Sequence, residues 1–154
     1  MDTFRILVVD DETDFLETIV NRLQKRKIDA TGVPTGEAAL ELMKGKLFDV
    51  VLLDVKMPGG MDGIEGLREI KKMQPLTEVI LLTGHASVET SIEGLKLGAF
   101  DYLIKPVKFD ELLEKLAAAF EKRNTQEQKI RSAKIQELVR FPGRIFDQER
   151  EEKE

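Results

Sequence analysis

Cysteine and tryptophan are absent from the 154-residue chain, and histidine and tyrosine occur once each. Without cysteine the chain has no disulfide, no thiolate metal site and no thiol nucleophile. No apolar run approaches the roughly 20 residues that cross a bilayer, and the first one, Ile6 to Val9, is too short for a secretory signal. The net charge of −5 disfavours a basic face for nucleic acid. These absences predict a cytoplasmic protein that contacts neither membranes nor nucleic acid directly.

The chain is long enough for one domain with about thirty residues to spare, because single cores commonly use about 100–150 residues. We predict a domain over residues 1–123 and a C-terminal helical extension or linker, with a mobile acidic end, over residues 124–154. Neither proline nor glycine occurs from Phe109 to Arg140, so one helix can cover that range. Its second half carries too short an apolar patch for a coiled coil, which favours a solvated helix over a partner-binding one.

Five short apolar runs have the length and composition of β-strands. The central run, Val50 to Leu53, is too short for a buried helix and ends at Asp54; the others are Phe4 to Val9, Asp29 to Val33, Glu78 to Leu82 and Asp101 to Ile104. Apolar residues at helical spacing follow each strand. They are Phe15, Ile19 and Leu23; Ala39 and Met43 after Thr35; Ile64, Leu67 and Ile70 after Asp62; Ile92 and Leu95 after Ser87; and Phe109, Leu112 and Leu116.

Strand and helix thus alternate five times, which predicts an α/β fold with a parallel sheet and helices on both faces. The expected strand order is 2-1-3-4-5, the doubly wound, flavodoxin-like arrangement. Parallel strands deliver their following loops to one edge of the sheet. Strand 1 ends at Asp10 and Asp11, strand 3 at Asp54, strand 4 at Thr83 and strand 5 at Lys105. Three carboxylates, a hydroxyl and an ammonium are therefore expected to meet at that edge.

Three carboxylates at one edge need a compensating positive charge. Two carboxylates 5 Å apart repel by about 3 kcal/mol at an effective dielectric constant near 20. Either one of them holds a proton or a cation lies among them, and an all-oxygen ligand set favours Mg²⁺ or Mn²⁺. Together with Lys105 and Thr83, such an ion can bind the oxygens of a transferring phosphoryl group, with Asp54 as the nucleophile.

Four motifs in this order resemble the receiver domains of two-component response regulators. They are ILVVDDE from Ile6, LLDVKMP from Leu52 with MDG from Met61, LLTG from Leu81, and GAFDYLIKP from Gly98. The similarity extends from about residue 4 to residue 120, and it covers no output domain. The chain is accordingly expected to be either a stand-alone receiver or a part of a longer regulator.

The resemblance implies that Asp54 accepts a phosphoryl group from a histidine kinase or a phosphotransfer protein. The chain would then be a signalling domain rather than an enzyme. The resemblance also implies a metal site formed by Asp10, Asp11, Asp54 and the backbone carbonyl of Lys56.

Further residues follow from the same resemblance. Thr83 and Lys105 would bind the phosphoryl group, Thr83 and Tyr102 would form the switch, and the peptide bond before Pro106 would be cis. The face made by helix 4, strand 5 and helix 5 would change shape on phosphorylation and could bind a second copy of the chain.

One departure from the family pattern lies between Pro58 and Met61, where two glycines replace the usual single residue. Because glycines accommodate a longer surface loop, we expect an altered loop around an intact site. Lys56 and His85 follow Asp54 and Thr83 by two residues each. At these positions the family tunes how readily water attacks the phosphoryl group, so both are predicted to set its lifetime.

Two other functions remain open at this point. The first is an adaptor of the same fold that is never phosphorylated, although all five site positions hold competent residues. The second is a phosphatase of the haloacid dehalogenase type, which also uses Asp, Thr, Lys and Mg²⁺. That class carries its nucleophile on the first strand in an Asp-x-Asp pattern, whereas here the first strand ends in Asp10-Asp11-Glu12. The order along the chain therefore disfavours it.

Overall fold

A computed structural model describes residues 4–140, with the side chain of His85 excepted. Strands and helices alternate along the chain as the apolar runs predict. The strands are β1 (Arg5–Val9), β2 (Asp29–Val33), β3 (Val50–Asp54), β4 (Glu78–Thr83) and β5 (Asp101–Ile104). The helices are α1 (Thr13–Lys25), α2 (Gly36–Met43), α3 (Gly63–Met73), α4 (Val88–Lys96) and α5 (Phe109–Arg140), and a 3-10 turn at His85–Ser87 precedes α4.

The five strands form one parallel sheet in the order β2-β1-β3-β4-β5. This confirms the predicted fold and strand order. The register pairs Val9 with Leu53 and Asp54 with Leu82, so the ends of β1, β3 and β4 lie at the same edge. Because β1 and β3 are neighbours, the acidic residues that follow or end them are brought together.

The sheet is covered on both faces, which explains why its central strands are continuous apolar runs. One face packs against α1 and α5 through residues that include Ile19, Leu23 and Leu112. The other face packs against α2 and α3 through residues that include Met43 and Leu67. All five residues of β3 are buried, Asp54 among them. A carboxylate at the end of such a strand is held rigidly and is largely removed from water.

Side-chain caps mark the starts of α2 and α3. The hydroxyl of Thr35 accepts a hydrogen bond from the amide of Ala38 at 3.1 Å, and Asp62 accepts one from the amide of Glu65 at 2.9 Å. Both residues therefore cap their helices. Three strand ends differ by one residue from the predicted runs, since β1 begins at Arg5, β3 extends to Asp54 and β4 extends to Thr83.

Helix α4 forms where it is predicted, but it turns a different face to the sheet. Ile92 and Leu95 are exposed, whereas Ser91 and Gly94 are buried. A Cβ atom on Gly94 would lie 2.4 Å from Cδ1 of Leu81, so the helix approaches β4 through its small residues. The apolar spacing of α4 therefore does not mark its core-facing side.

The opposite edge of the sheet carries a buried polar network that sequence reasoning missed. The side-chain amide of Gln74 donates to the carbonyls of Met43 and Lys46, and its oxygen accepts from the Thr77 hydroxyl. The Glu78 side chain is 1% exposed and lies 3.4 Å from the ammonium of Lys122. These contacts give hydrogen-bond or ion-pair partners to the buried polar groups near the loops that precede β3 and β4.

The contacts within the chain divide it into two compact units, residues 1–123 and 124–154. Helix α5 reaches Arg140, so its predicted length is confirmed. The assignment of the second unit as a linker stays a prediction, and its acidic end lies outside the described residues. Within residues 4–140, no helix combines the length and apolar character required to traverse a lipid bilayer.

Candidate functional site

Three carboxylates meet at the carboxyl edge of the sheet, where β1 and β3 end side by side. One oxygen from each of Asp10, Asp11 and Asp54 lies within 4.8 Å of the others. Asp10 is fully buried and Asp54 is 6% exposed, while Asp11 is exposed. Backbone amides orient the two buried groups, because Asp10 accepts from the Glu12 amide at 2.9 Å and Asp54 from the Lys56 amide at 3.3 Å.

Lys105 supplies the positive charge at this edge, as its place after β5 predicts. Its Nζ lies 2.6 Å from Oδ2 of Asp10 and 3.8 Å from Oδ2 of Asp54. A third carboxylate, that of Glu12, lies 3.4 Å from the same nitrogen. The ammonium is also 4.5 Å from the centre of the Phe15 ring, a distance at which the ring face attracts a cation. Lys105 is thus held mainly by Asp10, within reach of Asp54.

The pKa values of this cluster reflect burial and charge. Burial, followed by the charge of Asp10, raises the pKa of Asp54 to about 7 although Lys105 opposes the shift. Burial also raises the pKa of Asp10. Burial alone would lower the pKa of Lys105, but the hydrogen bond and charge of Asp10, together with the charges of Asp54 and Glu12, outweigh it and raise that pKa. One ammonium therefore does not fully compensate the buried carboxylates.

A cleft of about 300 Å³ opens onto Asp54. It provides room for a small phosphorylated compound or for the side chain of a partner. Its lining includes Glu12, Asp54, Lys56, Gly84, Ser87 and Lys105. The buried carboxylate of Asp54 and the exposed carboxylate of Glu12 thus share one cleft with the side chains of Lys56 and Lys105.

Thr83 lies at this edge with its side chain 1% exposed. Its hydroxyl donates to the carbonyl of Gly84 at 3.0 Å, and its own carbonyl accepts from the Lys105 amide at 2.7 Å. Tyr102 lies further along β5 and is half-buried. Its carbonyl accepts from Nζ of Lys115 at 2.8 Å, and it lines a second cavity of about 340 Å³ with Asp101 and Glu111.

Hydrogen bonds join the segment after β3 to α2 and to Val55, the residue that follows the strand. Oε1 of Glu37 accepts from the amide of Met61 at 2.7 Å, which lowers the pKa of that carboxyl. Gly59 adopts a φ of +82°, so one of the two glycines in this loop uses the left-handed region. The amide of Gly63 donates to the carbonyl of Val55 at 3.0 Å. The longer loop is accommodated while these hydrogen bonds are made.

Comparison with known proteins agrees with this geometry. The sequence model for the response regulator receiver domain matches residues 6–117. The transcriptional regulatory protein ZraR of Escherichia coli K12 is 42% identical over 118 residues, which cover 77% of this chain and 26% of that protein. A receiver domain protein from Clostridium thermocellum is 34% identical with a TM-score of 0.76, covering 80% of this chain and 98% of its own. The chain belongs to the response regulator receiver domain family. It spans about a quarter of the length of the curated relatives that it matches.

A second solved relative is the receiver domain of NtrX from Brucella abortus, at 32% identity and a TM-score of 0.72. That match covers 75% of this chain and 98% of the relative. The predicted resemblance to receivers is therefore confirmed. The roles that it implies for single residues stay predictions.

The structure brings most of the predicted site residues to one edge of this receiver. Asp10, Asp11, Asp54 and Lys105 lie together, Lys56 lines the cleft, and the peptide bond between Lys105 and Pro106 is cis. Tyr102 instead lines the second cavity. His85 begins the 3-10 turn after β4, and its side chain lies outside the described part of the chain. Glu12 is the residue that sequence reasoning missed, although it directly follows the acidic pair.

The donor set of this receiver fits a hard divalent cation. Three carboxylate oxygens lie close enough to share one ion, and burial of two of these groups makes a proton or a cation necessary. Asp10, Asp11, Asp54 and the carbonyl of Lys56 would hold Mg²⁺ or Mn²⁺. The observation that supports this assignment is the uncompensated charge among carboxylates that backbone amides already orient.

Proposed function

We propose that Asp54 of this receiver accepts a phosphoryl group from a phosphohistidine of a kinase or a phosphotransfer protein. The observation that carries the proposal is the convergence of three carboxylate oxygens within 4.8 Å beside an ammonium 3.8 Å from Asp54. A buried carboxylate with a cation on one side and a cleft on the other can act as a nucleophile toward phosphorus.

The chain's own groups perform three tasks in the transfer. An oxygen of Asp54 attacks the phosphorus atom while the P–N bond of the phosphohistidine breaks and its electron pair leaves with the imidazole nitrogen. The backbone amide of Lys56 holds the Asp54 carboxylate in place. Lys105 stabilises the negative charge on the phosphoryl oxygens, and Thr83 provides a hydroxyl at the end of the neighbouring strand. When bound, Mg²⁺ would neutralise charge on the carboxylates and on the phosphoryl oxygens. Burial of Asp54 and Thr83 strengthens their interactions, because the local dielectric constant is lower than that of water.

Intact mass after incubation with phosphoramidate and Mg²⁺ tests the proposal. The parent protein should gain one phosphoryl group, and Asp54→Asn should gain none because its amide is not a nucleophile. Asp14→Asn is the matched control, since this exposed residue lies in the first turn of α1 and is not among the residues that line the cleft, and it should react like the parent.

An unmodified parent protein would contradict the proposal and favour the phosphorylation-independent adaptor. Steady release of phosphate from a phosphate ester would instead favour the phosphatase alternative. Family membership supports a signalling domain, and the absence of enzymatic turnover stays a prediction.

The partners of the whole protein are also part of the proposal. We infer that a histidine kinase or a phosphotransfer protein donates the phosphoryl group to this cytoplasmic receiver. Several curated relatives are named as transcriptional regulatory proteins, and this chain spans about a quarter of their length. For that reason, the predicted absence of nucleic-acid binding refers to the receiver and is not extended to a longer protein.

Lys56 and His85 should set the lifetime of the phosphorylated state. Lys56 is exposed and lines the cleft, where it can obstruct or orient an attacking water. Lys56→Ala and His85→Ala should each change the rate of phosphate loss by about threefold to tenfold, which corresponds to about 0.7–1.4 kcal/mol in the barrier. The rate is measured by intact mass after removal of the donor, and rates equal to the parent's would contradict the role.

Phosphorylation should promote self-association through α4, β5 and α5. Ile92 is 45% exposed and Leu95 is 36% exposed on α4, so this face carries unburied apolar area within the described part of the chain. Light scattering with Mg²⁺ and beryllofluoride, a phosphoryl mimic, should show a mass increase toward the dimer. Ile92→Ser should reduce that increase, whereas Leu47→Ser, at an exposed position before β3, should not. A monomer mass under both conditions would refute the dimer.

A further inference from the structure

Glu12 adds a fourth carboxylate at the opening of the cleft, beside the three that form the proposed metal site. Its Oε1 lies 3.4 Å from Nζ of Lys105, and the same nitrogen lies 3.8 Å from Oδ2 of Asp54. Glu12 and Asp54 both line the cleft of about 300 Å³. The Glu12 side chain is 64% exposed, so it meets an arriving molecule before the buried groups do.

The position of Glu12 is fixed although its carboxylate is exposed. Its backbone amide donates to Oδ1 of Asp10 at 2.9 Å, and its carbonyl accepts from the amide of Leu16 at the start of α1. Its side chain is drawn toward Lys105. A negative charge therefore lies in the lining of the cleft that opens onto Asp54.

The charge of the leaving group distinguishes the two chemical classes of phosphodonor. When Asp54 attacks acetyl phosphate, the P–O bond breaks and its electron pair leaves with acetate, so negative charge develops on the departing oxygen. When Asp54 attacks protonated phosphoramidate or phosphohistidine, the P–N bond breaks. Its electron pair then neutralises a nitrogen that was positive before transfer. In both cases the new bond joins an oxygen of Asp54 to phosphorus.

A carboxylate beside the leaving group affects these reactions in opposite directions. It repels the departing acetate, and it attracts the protonated nitrogen of the other donors. We propose that Glu12 is a specificity-determining residue that favours phosphodonors with a protonated nitrogen leaving group over acyl phosphates. This inference rests on the proposed function of Asp54 and identifies the chemistry of the donor that its cleft accepts.

The test compares two small donors on the same protein at saturating Mg²⁺. The second-order rate constants for phosphoramidate and acetyl phosphate are measured by intact mass, and their ratio is taken for each variant. Glu12→Gln should lower the ratio of phosphoramidate to acetyl phosphate by about threefold to tenfold, the effect of one charge at about 5–7 Å in a partly screened site. Glu12→Lys should lower it further, and Glu12→Asp should keep it within about twofold.

A matched control separates position from total charge. Asp14→Asn removes one exposed carboxylate from the first turn of α1 and should leave the ratio unchanged. A ratio that is the same in Glu12→Gln, Glu12→Lys and the parent would overturn the proposal, as would an equal shift in Asp14→Asn. Because the ratio is taken within one variant, a general loss of rate cancels. A parent that reacts with neither donor would overturn the function of Asp54 instead.

Discussion

Replacing Asp54 with Asn should raise the free energy of unfolding of the metal-free protein by about 2–4 kcal/mol at pH 8, because a pKa shift of one unit corresponds to about 1.4 kcal/mol. Burial and the charge of Asp10 raise the pKa of Asp54 from 3.8 to about 7, so its ionised form destabilises the folded state. Asn is close in size and carries no charge. Urea denaturation of both proteins in a chelating buffer measures the difference.

The sign of this effect follows from the protons that each state binds. Between pH 3.8 and about 7 the folded protein holds a proton on Asp54 that the unfolded chain has lost. Lowering the pH through this range therefore stabilises the parent, and its difference from Asp54→Asn should shrink towards zero near pH 4. Asp14→Asn, which removes an exposed charge, should show a small difference that does not follow this pH profile.

Adding Mg²⁺ at pH 8 gives an independent comparison. The ion should stabilise the parent more than Asp54→Asn, because a ligand stabilises the state that binds it and the variant lacks one carboxylate of the site. Equal free energies of unfolding of the two proteins at pH 8 without metal would show that the ionised carboxylate of Asp54 does not destabilise the folded state.

Replacing Gly63 with Ala should lower the free energy of unfolding by about 3–5 kcal/mol and the melting temperature by about 10–20 °C. A Cβ atom at this position would lie 2.5 Å from the Asp54 carbonyl oxygen and 2.6 Å from Cα of Val55. Both atoms belong to the backbone, so no side-chain rotation relieves the overlap. The backbone at the phosphoacceptor must shift, and phosphorylation should slow as well.

Gly45→Ala is the matched control for this substitution. No atom lies within 4 Å of the corresponding Cβ position, and the residue is in an exposed turn. Its effect on stability should stay within about 0.5 kcal/mol, the usual range for surface positions. If Gly63→Ala and Gly45→Ala melt at the same temperature, the close approach of α3 to the end of β3 does not constrain the site.

The sequence predicts the sheet well because its strands are buried on both faces. Continuous apolar runs such as Val50 to Leu53 arise where helices cover both sides, and such runs mark strand positions to within a residue. The shared edge of Asp10, Asp54 and Lys105 then follows from parallel topology alone. The resemblance to receivers adds the residues' roles, which chain topology does not supply.

Contacts that depend on how closely two elements can approach cannot be predicted from the hydrophobic pattern of the sequence. Ile92 and Leu95 of α4 have core-like spacing, but Gly94 lets this helix approach Leu81 closely and leaves the larger side chains outside. Hydrophobic periodicity reports which residues are apolar, not which side of a helix can come nearest to a sheet.

The preference of Lys105 for Asp10 over Asp54 also depends on shape. It results from distances of 2.6 Å and 3.8 Å that no residue pattern encodes. The same holds for Glu12, whose carboxylate reaches the cleft through the local backbone at the start of α1.

The place of Tyr102 in β5 has a practical consequence. It is the chain's single tyrosine, and tryptophan is absent, so near-ultraviolet emission excited at 280 nm comes essentially from one ring. That ring lies beside the cavity shared with Asp101 and Lys115. Intrinsic fluorescence thus follows the environment of this one position without any label, and quenching by iodide or acrylamide reports its access to solvent directly.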